Sequence, residues 1–223
     1  ERTFFRFAAN MMKKERNFKL IVYPSLGFSL IFPFMFLLTG LKGDGLKTAV
    51  YSKAHFGLYF MALTVPTVIS AIGFSGNYKG AWIYRMAPLN ETKAIFKGTM
   101  KAALTNLILP FYIFAGIIFM VAFKGKIFTD LLIIFINMLL FAVICFNLTT
   151  KRLPFSGPIE EASKGKGFIF VLLFLILAVL AGVHYIAAMF GCGVLIYIPV
   201  LTALNIYAWE NGFNVDWKVE NQS

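Results

Sequence analysis

The run FIFVLLFLILAVLAGVHYIAAM at residues 168–189 contains no Lys, Arg, Asp or Glu. A helix of about 20 apolar residues is long enough to cross the ~30 Å hydrocarbon core of a bilayer. The apolar residues follow one another without a break and do not alternate with polar ones, as they would in a strand of a membrane β-barrel. The run therefore predicts a transmembrane helix.

The rest of the chain repeats this pattern. The chain has 223 residues, of which 59% are hydrophobic and only 14% charged, and its mean hydropathy is +0.77. Soluble proteins have about 45–50% apolar and about 25% charged residues. Span-length apolar runs cover residues 20–39, 55–75, 103–123, 127–148, 168–189 and 192–209. We therefore expect an all-α integral membrane protein with six transmembrane helices, although the short turn near residue 191 leaves a re-entrant hairpin as an alternative for the last two.

The distribution of Lys and Arg predicts the orientation of the chain. Sixteen of the 21 basic residues lie in the N-terminal arm, the second and fourth loops and the tail, and five lie in the first and third loops. Because basic residues concentrate on the cytoplasmic side, both termini are predicted to be cytoplasmic. This gives an amphipathic arm at 1–19, a transmembrane domain at 20–209 and a tail at 210–223. The net charge of +11 is then a topology signal, and we expect no nucleic-acid partner.

Ionisable residues are missing from the central parts of the predicted spans. An intramembrane hydrolase needs a nucleophile with its base or a metal cluster, and ion-coupled transporters usually place ionisable groups at mid-membrane. The absence of such groups argues against both classes of protein. Asp130 and His184 lie near the outer ends of the fourth and fifth spans. His184 has no carboxylate neighbour in sequence, which predicts a lone interfacial polar residue. Cys145 and Cys192 have no partner at metal-ligand spacing, so we expect no catalytic, cofactor-binding or metal site.

Mild polar residues do occur inside the spans, chiefly Asn106, Asn137 and Asn205. Such residues commonly form hydrogen bonds between membrane helices, which is the role that we expect here. The alternative is that these three line a substrate path. Prolines also recur within the spans and should kink them, because each removes a backbone donor; they are Pro33, Pro66, Pro110 and Pro199.

The loop at residues 76–102 is too long and too aromatic for a simple turn. Tyr78, Trp82 and Arg85 recur at i, i+4 and i+7, the spacing of one helical face. Pro88 should end this helix, since a residue before proline is pushed out of helical geometry. Asn90 can cap a second helix that runs into the third span. The alternative is an interfacial helix that anchors in lipid headgroups through its Trp, Tyr and Lys side chains.

These features together resemble permease subunits of bacterial type-2 ATP-binding cassette (ABC) exporters. The resemblance lies in the six spans with both ends inside, in the basic arm before the first span, and in the elaborated loop between spans two and three. In motif it covers about 50 residues: the arm at 5–23 with MMKKER, the stretch YKGAWIYR at 78–85, and the Pro-Leu-Asn at 88–90 followed by Lys97, Gly98 and Lys101. The same arm often lies within a longer chain, so the sequence could be a C-terminal half.

The resemblance implies a subunit of the cell (plasma) membrane that forms a translocation path with a second permease half or with another copy of itself. A cytoplasmic ABC ATPase, which would bind the ATP and Mg²⁺, would dock on a coupling helix at 76–98. Tyr78, Trp82, Arg85 and Pro88 are the expected coupling residues. The alternatives are a non-enzymatic membrane scaffold or channel subunit with a lipid-anchoring loop, and a lipid-modifying enzyme, for which Glu160 and Glu161 alone do not supply a site.

Overall fold

The computed structural model describes residues 1–41, 53–82, 92–149, 152–161, 167–190 and 193–214. Seven helices make up most of this part of the chain. We number them α1 (Arg2–Lys14), α2 (Arg16–Leu41), α3 (Ala54–Ile72), α4 (Thr92–Ala122), α5 (Phe128–Leu148), α6 (Gly167–Met189) and α7 (Gly193–Asn211). Two strands of two residues each, β1 (Phe74–Ser75) and β2 (Gly157–Pro158), pair in parallel.

Helices α2 to α7 are each long and apolar enough to cross a membrane. The chain is therefore an all-α protein with six candidate membrane spans, as the apolar runs predict. The spans differ in how deeply they are buried in the protein: 72% of the apolar window of α3 is buried, against 17% for α6 and 11% for α7. The helix α3 thus lies at the centre of the bundle, and α6 and α7 lie at its edge.

Two of the spans depart from regular α-helical geometry close to prolines. Helix α3 begins as a 3-10 helix over Ala54–Leu63 and becomes α-helical at Thr64, two residues before Pro66. Helix α4 contains a π-helical turn at Leu104–Ile108 just before Pro110. Proline has no N–H to donate to the carbonyl four residues earlier, and a π-helical turn is one way for a helix to accommodate the interruption.

The helices begin and end within a few residues of the predicted apolar runs, except in two places. The second span ends at Ile72 and not at residue 75, because Phe74 and Ser75 form β1. The third span belongs to a helix that begins at Thr92, eleven residues before the predicted boundary. The loop between spans two and three is correspondingly shorter than 76–102. Its predicted second helix does run into the third span, although its predicted cap Asn90 lies outside the described residues.

Helix α1 packs along the first turns of α4. Its apolar residues Ala8 and Met12 are buried, whereas its basic residues Arg2, Arg6, Lys13 and Lys14 are exposed. We call this end of the bundle the arm end, and the end where α3 and α5 begin the far end. The far end also contains the tight turn between α4 and α5, in which Lys124 and Gly125 have positive φ angles.

The arm end carries a small folded cap made of α1, residues 73–82 and residues 152–161. The N–H of Phe155 donates to the carbonyl of Ile72 at 2.7 Å, and the N–H of Gly157 donates to that of Gly73 at 2.9 Å. The Phe155 ring contacts the Phe7 ring of α1, with the ring centroids 6.4 Å apart. The second and fourth loops are therefore joined to each other and to the arm.

Candidate functional site

Two histidines face one aspartate at the far end of the bundle. The Nε2 atom of His55, in the first turn of α3, lies 3.2 Å from Oδ2 of Asp130, and the Nε2 atom of His184, near the end of α6, lies 3.4 Å from Oδ1. Neither contact meets the geometry of a regular hydrogen bond, and each is an ion pair only when its imidazole is protonated. The Asp130 side chain is 21% exposed and those of His55 and His184 are 9% and 0% exposed. Asp130 is thus the member of the group with the most access to solvent.

A chain of hydrogen bonds continues from His184 into the bundle. Tyr59 of α3 places its hydroxyl 3.0 Å from Nδ1 of His184. Asn137 of α5 donates from Nδ2 to the Tyr59 hydroxyl oxygen at 2.7 Å, and Tyr197 of α7 donates to Oδ1 of Asn137 at 3.0 Å. We call His184, Tyr59, Asn137 and Tyr197 the relay. It joins four spans, α3, α5, α6 and α7, through polar groups alone.

The hydrogen-bond pattern of the relay favours one tautomer of His184. The Tyr59 oxygen already accepts from Asn137, so its own hydrogen is free to point to Nδ1 of His184. A neutral imidazole has one donor and one acceptor nitrogen, and Nε2 faces a carboxylate, which can only accept when ionised. The hydrogen of neutral His184 therefore sits on Nε2, and every donor along the relay points from Tyr197 towards Asp130.

The prediction that His184 is a polar residue without partners is wrong. Its side chain is fully buried, contacts Asp130, stacks on the Tyr197 ring at 6.1 Å between centroids and lies 4.9 Å from the tilted Phe56 ring. His55 was not singled out from the sequence at all. One signal was available in the sequence. His55, Asp130 and His184 each lie within about five residues of a predicted span end, and these three ends are expected at the same face of the membrane.

The three asparagines of the candidate path are not brought together. Asn137 and Asn205 are buried and bond across helices, Asn205 donating to the carbonyl of Ile136 at 3.1 Å. Asn106 is exposed and donates to the carbonyl of Ala102 in its own helix at 2.8 Å. The geometry of Asn137 and Asn205 fits interhelical hydrogen bonding, as expected. Lining of a path by these residues stays a prediction.

A second candidate site lies at the arm end, where α1 holds both ends of the segment 76–98. At its first residue, the N–H of Gly76 donates to Oε1 of Glu15 at 2.8 Å, and Glu15 is buried. At its last residue, a Cβ added to Gly98 would lie only 2.7 Å from the carbonyl oxygen of Glu1 and 3.1 Å from the nitrogen of Phe5. Only a glycine allows α1 and α4 to approach this closely.

An exposed ion pair lies beside the attachment near Gly98. Lys101 of α4 lies one turn after Gly98, and its Nζ is 2.6 Å from Oε1 of Glu1. The hydrogen bond to Lys101 is the largest of the effects that lower the pKa of the Glu1 carboxyl. The two ends of the segment are therefore tied to the two ends of one 13-residue helix.

The predicted coupling residues are only partly described. Tyr78 is half-buried in a 3-10 turn at Tyr78–Trp82. The side chain of Trp82, together with Arg85, Pro88 and the rest of residues 83–91, lies outside the described part of the chain. The predicted helical face of Tyr78, Trp82 and Arg85 therefore stays a prediction.

Comparison with known proteins finds no relative: no protein-family model, no curated protein and no solved structure matches this chain. Among the described residues, no group of three His, Cys, Asp or Glu side chains is arranged to hold a metal ion. The interpretation of both sites therefore rests on their own residues.

Proposed function

We propose that this chain is the membrane-spanning permease subunit of an ATP-driven ABC exporter, coupled to a separate cytoplasmic ATPase through residues 76–98. The observation that carries the proposal is that α1 holds both ends of this segment, at Glu15 and at Gly98. A segment that only anchored in lipid would not need this double attachment. A segment that receives force needs to be attached at both ends, because force applied to an unattached loop would move the loop and not the helices.

The attachments suggest how a push on the segment would reach the bundle. Helix α4 continues from Thr92 without interruption to Ala122, and residues 73–82 follow directly on α3. A displacement of the cap would therefore move α3 and α4 together as packed elements, in the way that rigid-body shifts of helices transmit conformational change. The 3-10 and π-helical parts of these two helices are the places where they can bend.

The second half of the translocation path is part of the proposal. A copy of this chain or another permease half would pack beside the bundle in the plasma membrane. The edge helices α6 and α7 expose large apolar residues such as Leu175, Leu195 and Ile196, which suit contact with lipid and with a further membrane helix alike.

The test is to replace Trp82 by Asp and to purify the protein from the membranes of its natural host. Aromatic residues at the centre of an interface commonly contribute 2 kcal/mol or more, so we expect at least a roughly thirtyfold loss of co-purified ATPase. Phe128→Asp, at an exposed position of the far end, is the matched control and should retain the ATPase. Equal membrane insertion of both variants must be verified.

One observation favours a second candidate, a scaffold or channel subunit whose cap binds anionic lipid. Arg2, Arg6, Lys13 and Lys14 are exposed on α1, and basic residues near a membrane surface attract anionic headgroups. If Trp82→Asp retains the ATPase and the ATP-dependent export of the unmodified protein, residues 76–98 are only an interfacial helix and not the coupling site. A purified homo-oligomer that carries no ATPase and conducts solute without ATP would overturn the permease proposal in favour of the scaffold or channel candidate.

A further inference from the structure

The far end contains ionisable groups that the proposed permease function does not use. Buried ionisable residues in membrane helices are costly and usually functional. Here one carboxylate, Asp130, faces two imidazoles, those of His55 and His184. The chain contains only these two histidines, and both lie at this site.

The site has an ionisable nitrogen close to the surface of the far end. The fully buried His184 contacts Asp130, whose side chain is 21% exposed. Among the residues that the structure describes, the titratable groups around His184 are Asp130 from α5, His55 and Tyr59 from α3, and Tyr197 from α7. The cation of Lys53 lies near the site but over the Tyr185 ring, 3.9 Å from its centroid.

A proton on His184 cannot be added without disturbing the relay. Its one free position is Nδ1, which now accepts the hydrogen of the Tyr59 hydroxyl. Once Nδ1 carries a proton, it becomes a donor, and the Tyr59 oxygen faces two donors, Nδ1 of His184 and Nδ2 of Asn137. The hydrogen of Tyr59 then has no acceptor within the relay, and a buried unpaired polar group is costly.

A half-turn of the Asn137 side-chain amide removes this conflict. After the turn, Oδ1 of Asn137 accepts from the Tyr59 hydroxyl, and Nδ2 donates to the oxygen of Tyr197. The two ends of the amide are nearly equal in size but opposite in hydrogen-bonding role, so the turn needs no change in packing. Tyr197, which donates to Asn137 in the structure, becomes an acceptor, and its hydroxyl hydrogen no longer has a partner in the relay.

We propose that His184 is a proton-binding site open to the far face of the membrane, and that its protonation turns the Asn137 amide and reverses the hydrogen bond of Tyr197. No covalent step is involved: one proton binds at Nδ1 of His184 and is released from the same atom. An amide side chain does not pass a proton on in this way, so the relay transmits an orientation and does not conduct protons.

The last member of the relay lies where a reversal can affect the bundle. Tyr197 is half-buried on α7, the least buried span, two residues before Pro199. Proline removes a backbone hydrogen bond and makes that part of a helix easier to bend. Proton binding at the far face would therefore change a hydrogen bond of α7, the least buried of the six spans.

The test uses the full chain in lipid nanodiscs, labelled with ¹⁵N in the histidine rings and with ¹³C at the Cζ atom of tyrosine. His55→Gln and Tyr197→Phe assign the signals. Between about pH 8 and pH 5, where histidine titrates, we expect Nδ1 of His184 to change from an acceptor to a protonated nitrogen. The Tyr197 signal should shift with the same midpoint pH.

Two further variants separate the relay from a general effect of pH. Tyr59→Phe cuts the relay, so His184 should still titrate while the shift of Tyr197 is lost. Tyr207→Phe, a 69%-exposed position on the same helix, should leave both responses unchanged.

The proposal is overturned if only His55 titrates, or if Tyr197 does not respond in the unmodified protein. It is also overturned if Tyr197 responds equally in Tyr59→Phe. None of these outcomes depends on an ATPase, so the permease proposal stands or falls separately.

Discussion

The two ends of the bundle are held together by different kinds of contact. At the arm end, a peripheral helix packs against backbone at Gly98 and binds Gly76 through Glu15, with its basic side chains exposed. At the far end, buried polar side chains of four spans bond to one another through Tyr59 and Asn137. The arm end is thus held by a helix that lies outside the spans, whereas the far end joins the spans directly to one another.

The largest expected effect comes from breaking the close packing at the arm end. In Gly98→Val, the added side chain would overlap with the backbone of Glu1 and Phe5, and overpacking of this kind costs about 3 kcal/mol. We expect tryptic cleavage within α1 to accelerate by about a hundredfold, because cleavage follows the population of the detached arm.

Gly27→Val is the matched control for this change. A Cβ at Gly27 of α2 meets nothing within 4 Å, so the cleavage rate of α1 should stay within about twofold of the unmodified protein, as for surface changes that touch no special feature. Equal acceleration in both variants would show that α1 is not held at Gly98.

A slightly smaller effect should follow from breaking the histidine–aspartate contacts at the far end. Asp130→Leu leaves two buried imidazoles without their shared carboxylate, which should lower the free energy of unfolding by about 1–3 kcal/mol. In a His184→Leu background the same change should cost less, with a coupling energy of about 1 kcal/mol. Equilibrium unfolding in mixed detergent micelles gives these values, and strict additivity would contradict a direct contact.

Removing one bond of the relay should have a still smaller effect. Tyr197→Phe loses the hydroxyl that donates to Asn137, and hydrogen bonds between membrane helices contribute about 0.6 kcal/mol on average. The same unfolding measurement should place Tyr207→Phe, on the exposed face of α7, within error of the unmodified protein. A larger loss in Tyr207→Phe than in Tyr197→Phe would show that Tyr197 does not tie α7 to α5.

The smallest effect is expected at the surface of the cap. Arg152 and Glu161 form an ion pair at 2.7 Å, but their side chains are 37% and 38% exposed. Exposed pairs contribute about 0–1 kcal/mol and are weakened by salt. Glu161→Gln should therefore lower the free energy of unfolding by less than about 0.5 kcal/mol at 0.15 M salt. A loss above about 1 kcal/mol would show that this ion pair stabilises the cap more than an exposed pair is expected to.

The spans could be predicted from the sequence because their signal is local. The run at residues 127–148 has the length and hydropathy of a span without reference to any other part of the chain. The observed helix Phe128–Leu148 has nearly the same bounds. The early start of α4 was partly foreseen from Asn90 and the helix-forming residues after it. The pairing of β1 with β2 was not, because two-residue strands are too short to show an alternating pattern.

The far-end site could not be predicted because its contacts join distant parts of the chain. Tyr59 and His184 are 125 positions apart, and Asn137 is 78 positions from Tyr59. The sequence neighbours of His184 include no carboxylate, because its partner Asp130 is on another helix. The conclusion for similar chains is that ionisable residues near matching ends of predicted spans should be considered as one group.

The central claim is that the arm end, and not the far end, couples the bundle to an ATPase. ATP hydrolysis by the complex purified from natural membranes tests it most directly, when Gly98→Val is compared with Asp130→Asn. The account predicts that Gly98→Val loses most of the ATP hydrolysis that purifies with the chain, while Asp130→Asn, which keeps the shape of the side chain, retains it. Full hydrolysis with Gly98→Val would contradict the account.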